Sequence, residues 1–141
     1  LHRGHEKTKC SLFSVKQGTH MDYCSTITRE SATHPGIRYV IRRPSLQRRA
    51  EITRKVRQLL AELEYRAAGD SLEDQLSAAE LESRIDGAYL EWGLERVEGL
   101  IVDGEPCNPR TLIERGPEDL GREIAEAIRR ECRLSEEERK N

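Results

Sequence analysis

Two apolar stripes of helical period, separated by a break of two residues, constrain this chain more than anything else in it. Ile52, Val56, Leu59, Leu60 and Leu63 recur at helical spacing within Leu46–Ala68. Leu72, Leu76, Leu81, Ile85, Tyr89 and Trp92 do the same within Ser71–Trp92. Ser45, following Pro44, has a side-chain oxygen suited to capping the first helix, and Gly69 supplies its stop. Ser71 with Asp74 three residues on is a capping-box variant that opens the second. So short a turn leaves the chain no choice but to reverse, which predicts an antiparallel helical hairpin.

The flanks add a little sheet and more helix. Ile37–Arg42 is rich in β-branched and aromatic residues, with Ile37, Tyr39 and Ile41 on one face by period two. Pro44 ends that strand because it cannot donate to a ladder. Val97–Pro106 reads as a ribbon turning at Asp103-Gly104, two residues that tolerate positive φ, and could add to the Ile37–Arg42 strand. Asn108-Pro109 is an N-cap plus first helical residue for a short helix ending at Gly116. Pro117 opens a last helix whose apolar stripe is Leu120, Ile124, Ile128 and Cys132. Glu118 and Asp119 stand at its positive end, and Arg129, Arg130 and Arg133 toward its negative end. The expected fold class is mainly α with a small β-ribbon: an antiparallel helical hairpin plus C-terminal helices, forming one domain over residues 35–134 with a charged tail at 135–141. Residues 1–34, rich in His, Lys, Ser and Thr, are expected to be poorly ordered. Met21 is the only methionine and is the expected native start.

Charge is divided along the chain. Residues 36–68 carry nine Arg or Lys against three acids, and residues 69–141 carry ten against twenty. A basic first half and an acidic second half imply intramolecular or head-to-tail pairing, which a homo-oligomer would satisfy, or a basic face for an acidic partner. With hydrophobic and charged residues at 35% each and six aromatics in all, the chain can build a thin core but not a deep cavity. Chains that bury little often complete their core on a partner. No window is long and apolar enough to span a membrane. Cys10, Cys24, Cys107 and Cys132 lie far apart with no apolar leader before them, so free thiols in a reducing cytoplasm are expected.

No constellation of residues in the sequence points to catalytic chemistry. His2-x-x-His5 and His20-x-x-x-Cys24 have spacings a zinc ion could use, but no apolar scaffold holds them together. No Gly-x-Ser-x-Gly elbow is present, and no His follows His34 to activate Cys107 or Cys132. Glu91, Glu95 and Glu98 surround Trp92 as a solvated face would. Gly99 and Gly104 flank a hairpin, not a phosphate-cradling strand-to-helix turn. No catalytic, cofactor-binding or metal site is therefore expected, and the chain reads as a binding protein, not an enzyme. One binding alternative is nucleic acid, held weakly by Arg38, Arg42, Arg43, Arg48, Arg49, Arg54, Lys55 and Arg57. Few aromatics interleave with those residues, and the acidic second half opposes it.

Trp92-Gly93-Leu94, then Val97-Glu98-Gly99-Leu100-Ile101-Val102-Asp103-Gly104-Glu105-Pro106, then the helix start at Leu112-Ile113, resembles tail-assembly proteins of the chaperone type from long-tailed bacteriophages and prophages. The strand-then-helix opening at Ile37–Leu46 fits the same layout. The resemblance implies a non-enzymatic factor of the bacterial host cytoplasm that binds tail components, such as the tape-measure or tail-tube protein. On that reading Arg48, Arg49, Arg57 and Trp92 are the expected partner-binding residues.

Overall fold

The β-branched, aromatic segment after Pro35 becomes the middle of a sheet. A computed structural model describes residues 20–140, with side chains through residue 133. Strand β1 (Thr26–Glu30) pairs antiparallel with β2 (Arg38–Arg42), with Thr28 opposite Val40. On its other side β2 pairs antiparallel with β3 (Leu94–Glu98), with a bulge between Val40 and Ile41. Tyr39 and Ile41 of β2 face the core, and Val40 is buried as well.

Between β2 and β3 the chain makes the expected hairpin, α1 (Leu46–Ala67) and α2 (Leu72–Gly93). Ser45 accepts a hydrogen bond from the Arg48 amide at 3.2 Å, and Ser71 accepts one from the Asp74 amide at 3.0 Å. Arg66 closes the hairpin tip by donating to Asp74 at 3.0 Å, which holds the Asp74 carboxyl below its usual pKa. After β3, β4 (Ile101–Val102) and β5 (Glu105–Pro106) form a two-stranded ribbon. Asp103 and Gly104 both take positive φ, 51° and 84°, as a two-residue turn matching the twist of its strands requires. The Asn108 side chain then caps α3 (Pro109–Arg115) through the Thr111 amide, and α4 (Glu118–Lys140) closes the structure.

The core lies where α4 crosses the base of the hairpin and the sheet. Ile41, Leu94, Leu120, Ile124 and Ile128 are fully buried there, with Trp92 at 5% exposure. Gly93 makes the crossing close, since a Cβ built on it would lie 2.7 Å from Ile128 Cγ2. From Arg57 to Glu80 no residue is buried. The distal halves of α1 and α2 therefore project from the body as a two-helix arm.

Several expectations change. Leu72 and Leu76, assigned above to the inward stripe, are 70% and 62% exposed. The inward face of α2 runs instead through half-buried Asp74, Ser77 and Ala78 to buried Leu81 and Ile85. Leu76 precedes Leu81 by five positions, which at about 100° per residue puts it on another face. Leu59 and Leu63 are half-buried, as two thin helices touching only each other allow. Order begins earlier than residue 35, because β1 and the loop after it lie within the stretch expected to be poorly ordered. β1 is held by pairing with β2, which composition does not register. The expectation for residues 1–19 lies outside the described residues. The charged tail is not separate, since α4 runs on to Lys140. Cys107 and Cys132 are buried thiols, but Cys24 is disulfide-bonded. Disulfide formation depends on proximity in space, which wide sequence spacing does not exclude. Cys10, His2 and His5 lie outside the described residues.

Candidate partner-binding groove

The basic run at the start of α1 divides into two groups with different surroundings. Arg48 turns toward the end of α2. It donates to the Trp92 carbonyl, and its guanidinium lies 4.7 Å from the centroid of the Trp92 ring. Arg42 reaches the same carbonyl at 3.5 Å and pairs with Glu95 at 3.3 Å. Two cations thus meet the negative end of a helix whose own last turn has none. Burial, then the like charge of Arg42, pulls the Arg48 pKa below its ordinary value, partly offset by Glu51 at 3.8 Å. Arg48 and Trp92 are therefore engaged with each other, and Trp92 presents almost no surface to a partner.

Arg49 and Arg57 belong to the second group. They sit two turns apart along one edge of a groove of about 470 Å³ between α1, the end of α2 and α4. Buried Ile52 and Val56, with Leu60 at 37% exposure, form its α1 wall. Half-buried Tyr89 of α2 and buried Cys132 of α4 complete the lining. Arg129 and Arg133, one turn apart on α4, stand on the opposite edge. An apolar floor thus lies between two pairs of guanidinium groups.

These arginines are anchored to different degrees. Arg49 donates to the Cys132 carbonyl at 3.1 Å and so ties α1 to α4. Arg129 lies 5.3 Å from the Tyr89 ring centroid and 3.7 Å from Asp86. Burial raises the pKa of Asp86, and Arg129 and Arg122 oppose that rise. Arg133 pairs with Glu126 at 2.9 Å, on a side away from the groove lining. Arg57 is exposed and forms no ion pair among the described residues. Its charge is open to an outside carboxylate.

The three carboxylates around Trp92 are all matched by cations. Glu91 faces Lys55 at 3.9 Å and Arg110 at 3.6 Å, Glu95 faces Arg42, and Glu98 faces Arg96 at 3.0 Å. A second, smaller cavity of about 250 Å³ lies across α2, between Leu90, Leu112, Pro117 and Gly121. Arg122 at its rim is held by Asp86 at 3.2 Å and Glu118 at 2.7 Å.

Arg49 and Arg57, expected from the sequence as partner-binding residues, border the groove, whereas its other edge was not expected. Arg129 and Arg133 appear in the sequence only as cations suited to a helix end. Their spacing of four on either side of the Cys132 stripe is a signal that they border an apolar surface. A contact with no local signal holds β1 in place. The Glu123 carboxylate of α4 accepts hydrogen bonds from Ser31 Oγ at 2.8 Å, the Ala32 amide at 2.7 Å and Thr33 Oγ1 at 2.6 Å. His34 Nε2 lies 3.1 Å from Asp119 beside it.

Comparison of the chain with known protein families, with curated proteins and with solved structures finds no match. No described helix is long and apolar enough to cross a membrane.

Proposed function

We propose that this protein is a non-enzymatic assembly factor that holds a helical segment of a partner protein in the groove between α1 and α4. The observation that carries the reading is the groove itself: Ile52, Val56, Leu60 and Tyr89 between Arg49 and Arg57 on one side and Arg129 and Arg133 on the other. A furrow of this kind suits an amphipathic helix, apolar face down and acidic flanks up. The resemblance to phage tail-assembly proteins supplies the class of partner, a tail component such as the tape-measure or tail-tube protein, met in the bacterial cytoplasm. Nucleic acid is the weaker reading because most arginines near α1 already face carboxylates or carbonyls of this chain, leaving few for phosphates.

Fluorescence anisotropy with a designed helical peptide, leucines on one face and glutamates on both flanks, tests it. Binding keeps a large component at high salt, because apolar burial is not screened. Arg57→Glu weakens it partially, and Leu60→Lys abolishes it. Duplex and single-stranded oligonucleotides bind weakly, without sequence preference, and are released by salt. Submicromolar oligonucleotide binding at physiological salt would instead favour the nucleic-acid reading.

A further inference from the structure

The arm carries chemistry complementary to the groove. Leu72 and Leu76 are one helical turn apart on one face of α2, and no described residue covers them: they are 70% and 62% exposed. Acids surround them. From Glu62 to Glu82 the chain holds seven carboxylates and one arginine, Arg66, which is paired with Asp74. The base of the same hairpin is the reverse: from Arg48 to Arg57 there are five cations and one acid, Glu51. Each molecule thus presents an acidic, leucine-bearing helix at one end of the arm and a basic, apolar groove at the other.

The two cannot meet within one molecule. Both lie on the same hairpin, and Leu72 and Leu76 stand on the arm beyond Leu60, the last lining residue of the groove on α1, and take no part in its lining. Between two molecules the match is direct. With the arms of two copies laid antiparallel about a two-fold axis, each tip reaches the other's base. Acid then faces base at both ends, and the contact is isologous and closed.

We infer that the occupant of the groove, in the absence of another partner, is the Leu72–Leu76 face of a second copy, so that the protein forms a reciprocal arm-exchanged dimer. The inference rests on the groove being a helix-binding site, and it adds a mode of control. A partner helix must displace the arm tip, so self-association keeps the apolar floor covered until the partner arrives. Like-charge repulsion between parallel arms, base beside base, opposes the alternative alignment.

Analytical ultracentrifugation of the full chain at about 50 µM, where a micromolar dimer is mostly formed, is the first measurement. A dimer is expected. Leu72→Ser with Leu76→Ser gives a monomer with an unchanged circular dichroism spectrum, because both leucines are exposed within one molecule. Arg57→Glu with Arg133→Glu gives a monomer from the opposite side of the contact. A photoreactive benzoylphenylalanine at position 76, in a mixture of isotopically light and heavy chains, cross-links between molecules onto the segments around Val56 or Cys132. A monomeric wild-type protein, a dimer that survives the leucine changes, or cross-links outside the groove would each overturn the dimer. The two readings fail separately. The Leu72→Ser/Leu76→Ser monomer, its groove open, binds the acidic helical peptide more tightly than the dimer does. Peptide binding lost while the dimer persists removes the assembly-factor reading alone.

Discussion

Trp92 is buried where the end of α2 meets the start of α1. It ends α2, lies under Arg48, and meets Tyr89 edge to face with ring centroids 6.3 Å apart. Its indole N–H is buried without a hydrogen-bond partner among the described residues. Truncation to Ala removes the ring and leaves Arg48 partly unsupported, which costs on the order of 3–5 kcal/mol. Trp92→Phe keeps a ring and deletes the unpaired donor, so urea denaturation should show a much smaller loss. Glu123 gives a second test at this scale. Burial pushes its carboxyl pKa up, but the hydrogen bonds from Thr33, Ala32 and Ser31 outweigh that and hold it below its ordinary value. A carboxylate with a depressed folded pKa adds stability that is fully present above its unfolded pKa, and loses it as the pH falls through the folded value. Glu123→Gln should therefore destabilise the protein at neutral pH by about 1–3 kcal/mol. It should also flatten the acid limb of a stability-against-pH profile, and a limb as steep as that of the wild type would count against this account.

The helices differ in what they ask of their side chains. Leu81 and Leu76 are five residues apart on α2, yet one is buried and the other stands in solvent. Leu81→Ala should cost about 2–5 kcal/mol, whereas Leu76→Ala should stay within about 0.5 kcal/mol. Thermal melts of the two variants, at a concentration low enough to keep the protein monomeric, check the contrast. Gly93→Ala should cost about 1–3 kcal/mol, because the new methyl meets Ile128 at the tightest point of the crossing with α4. The same contrast explains which elements could be read from the sequence. The caps at Ser45, Ser71 and Asn108 and the turn at Asp103-Gly104 are local chemistry, visible in a few adjacent residues, and the structure has each of them. Leu72 and Leu76 misled because hydrophobic periodicity marks an apolar face without saying what covers it. β1 was hidden because Thr-Ile-Thr-Arg-Glu has one strong apolar residue, and its pairing partner lies beyond a loop. The groove was half legible: its α1 edge follows from one helix, but its α4 edge exists only once residues about eighty positions apart are packed together.

Stability across the molecule should be graded. The arm, with no buried residue between Arg57 and Glu80, can open while the crossing of α2, β2 and α4 stays closed. Native-state hydrogen exchange should find the amides of that arm exchanging through low-energy local openings. The amides of Ile41 and Ile124 should exchange only with global unfolding. Equal protection of both sets would mean that the arm is supported by more than its own two helices.

The grip of Ser31, Ala32 and Thr33 on Glu123 joins positions about ninety residues apart. During synthesis the chain leaves the ribosome from its first residue onward, and β2 must wait for β3, some fifty residues later, before both its sides are paired. The loop after β1 waits longer still, until the first turns of α4 have emerged. The α1–α2 hairpin, whose two helices follow one another directly in the chain, can close by itself in that interval. What a nascent copy first offers its surroundings is thus the arm, with its exposed leucines, while the sheet and the final helix that complete the core are still being made. Two chains growing on the same messenger could meet through these arms before either has finished folding.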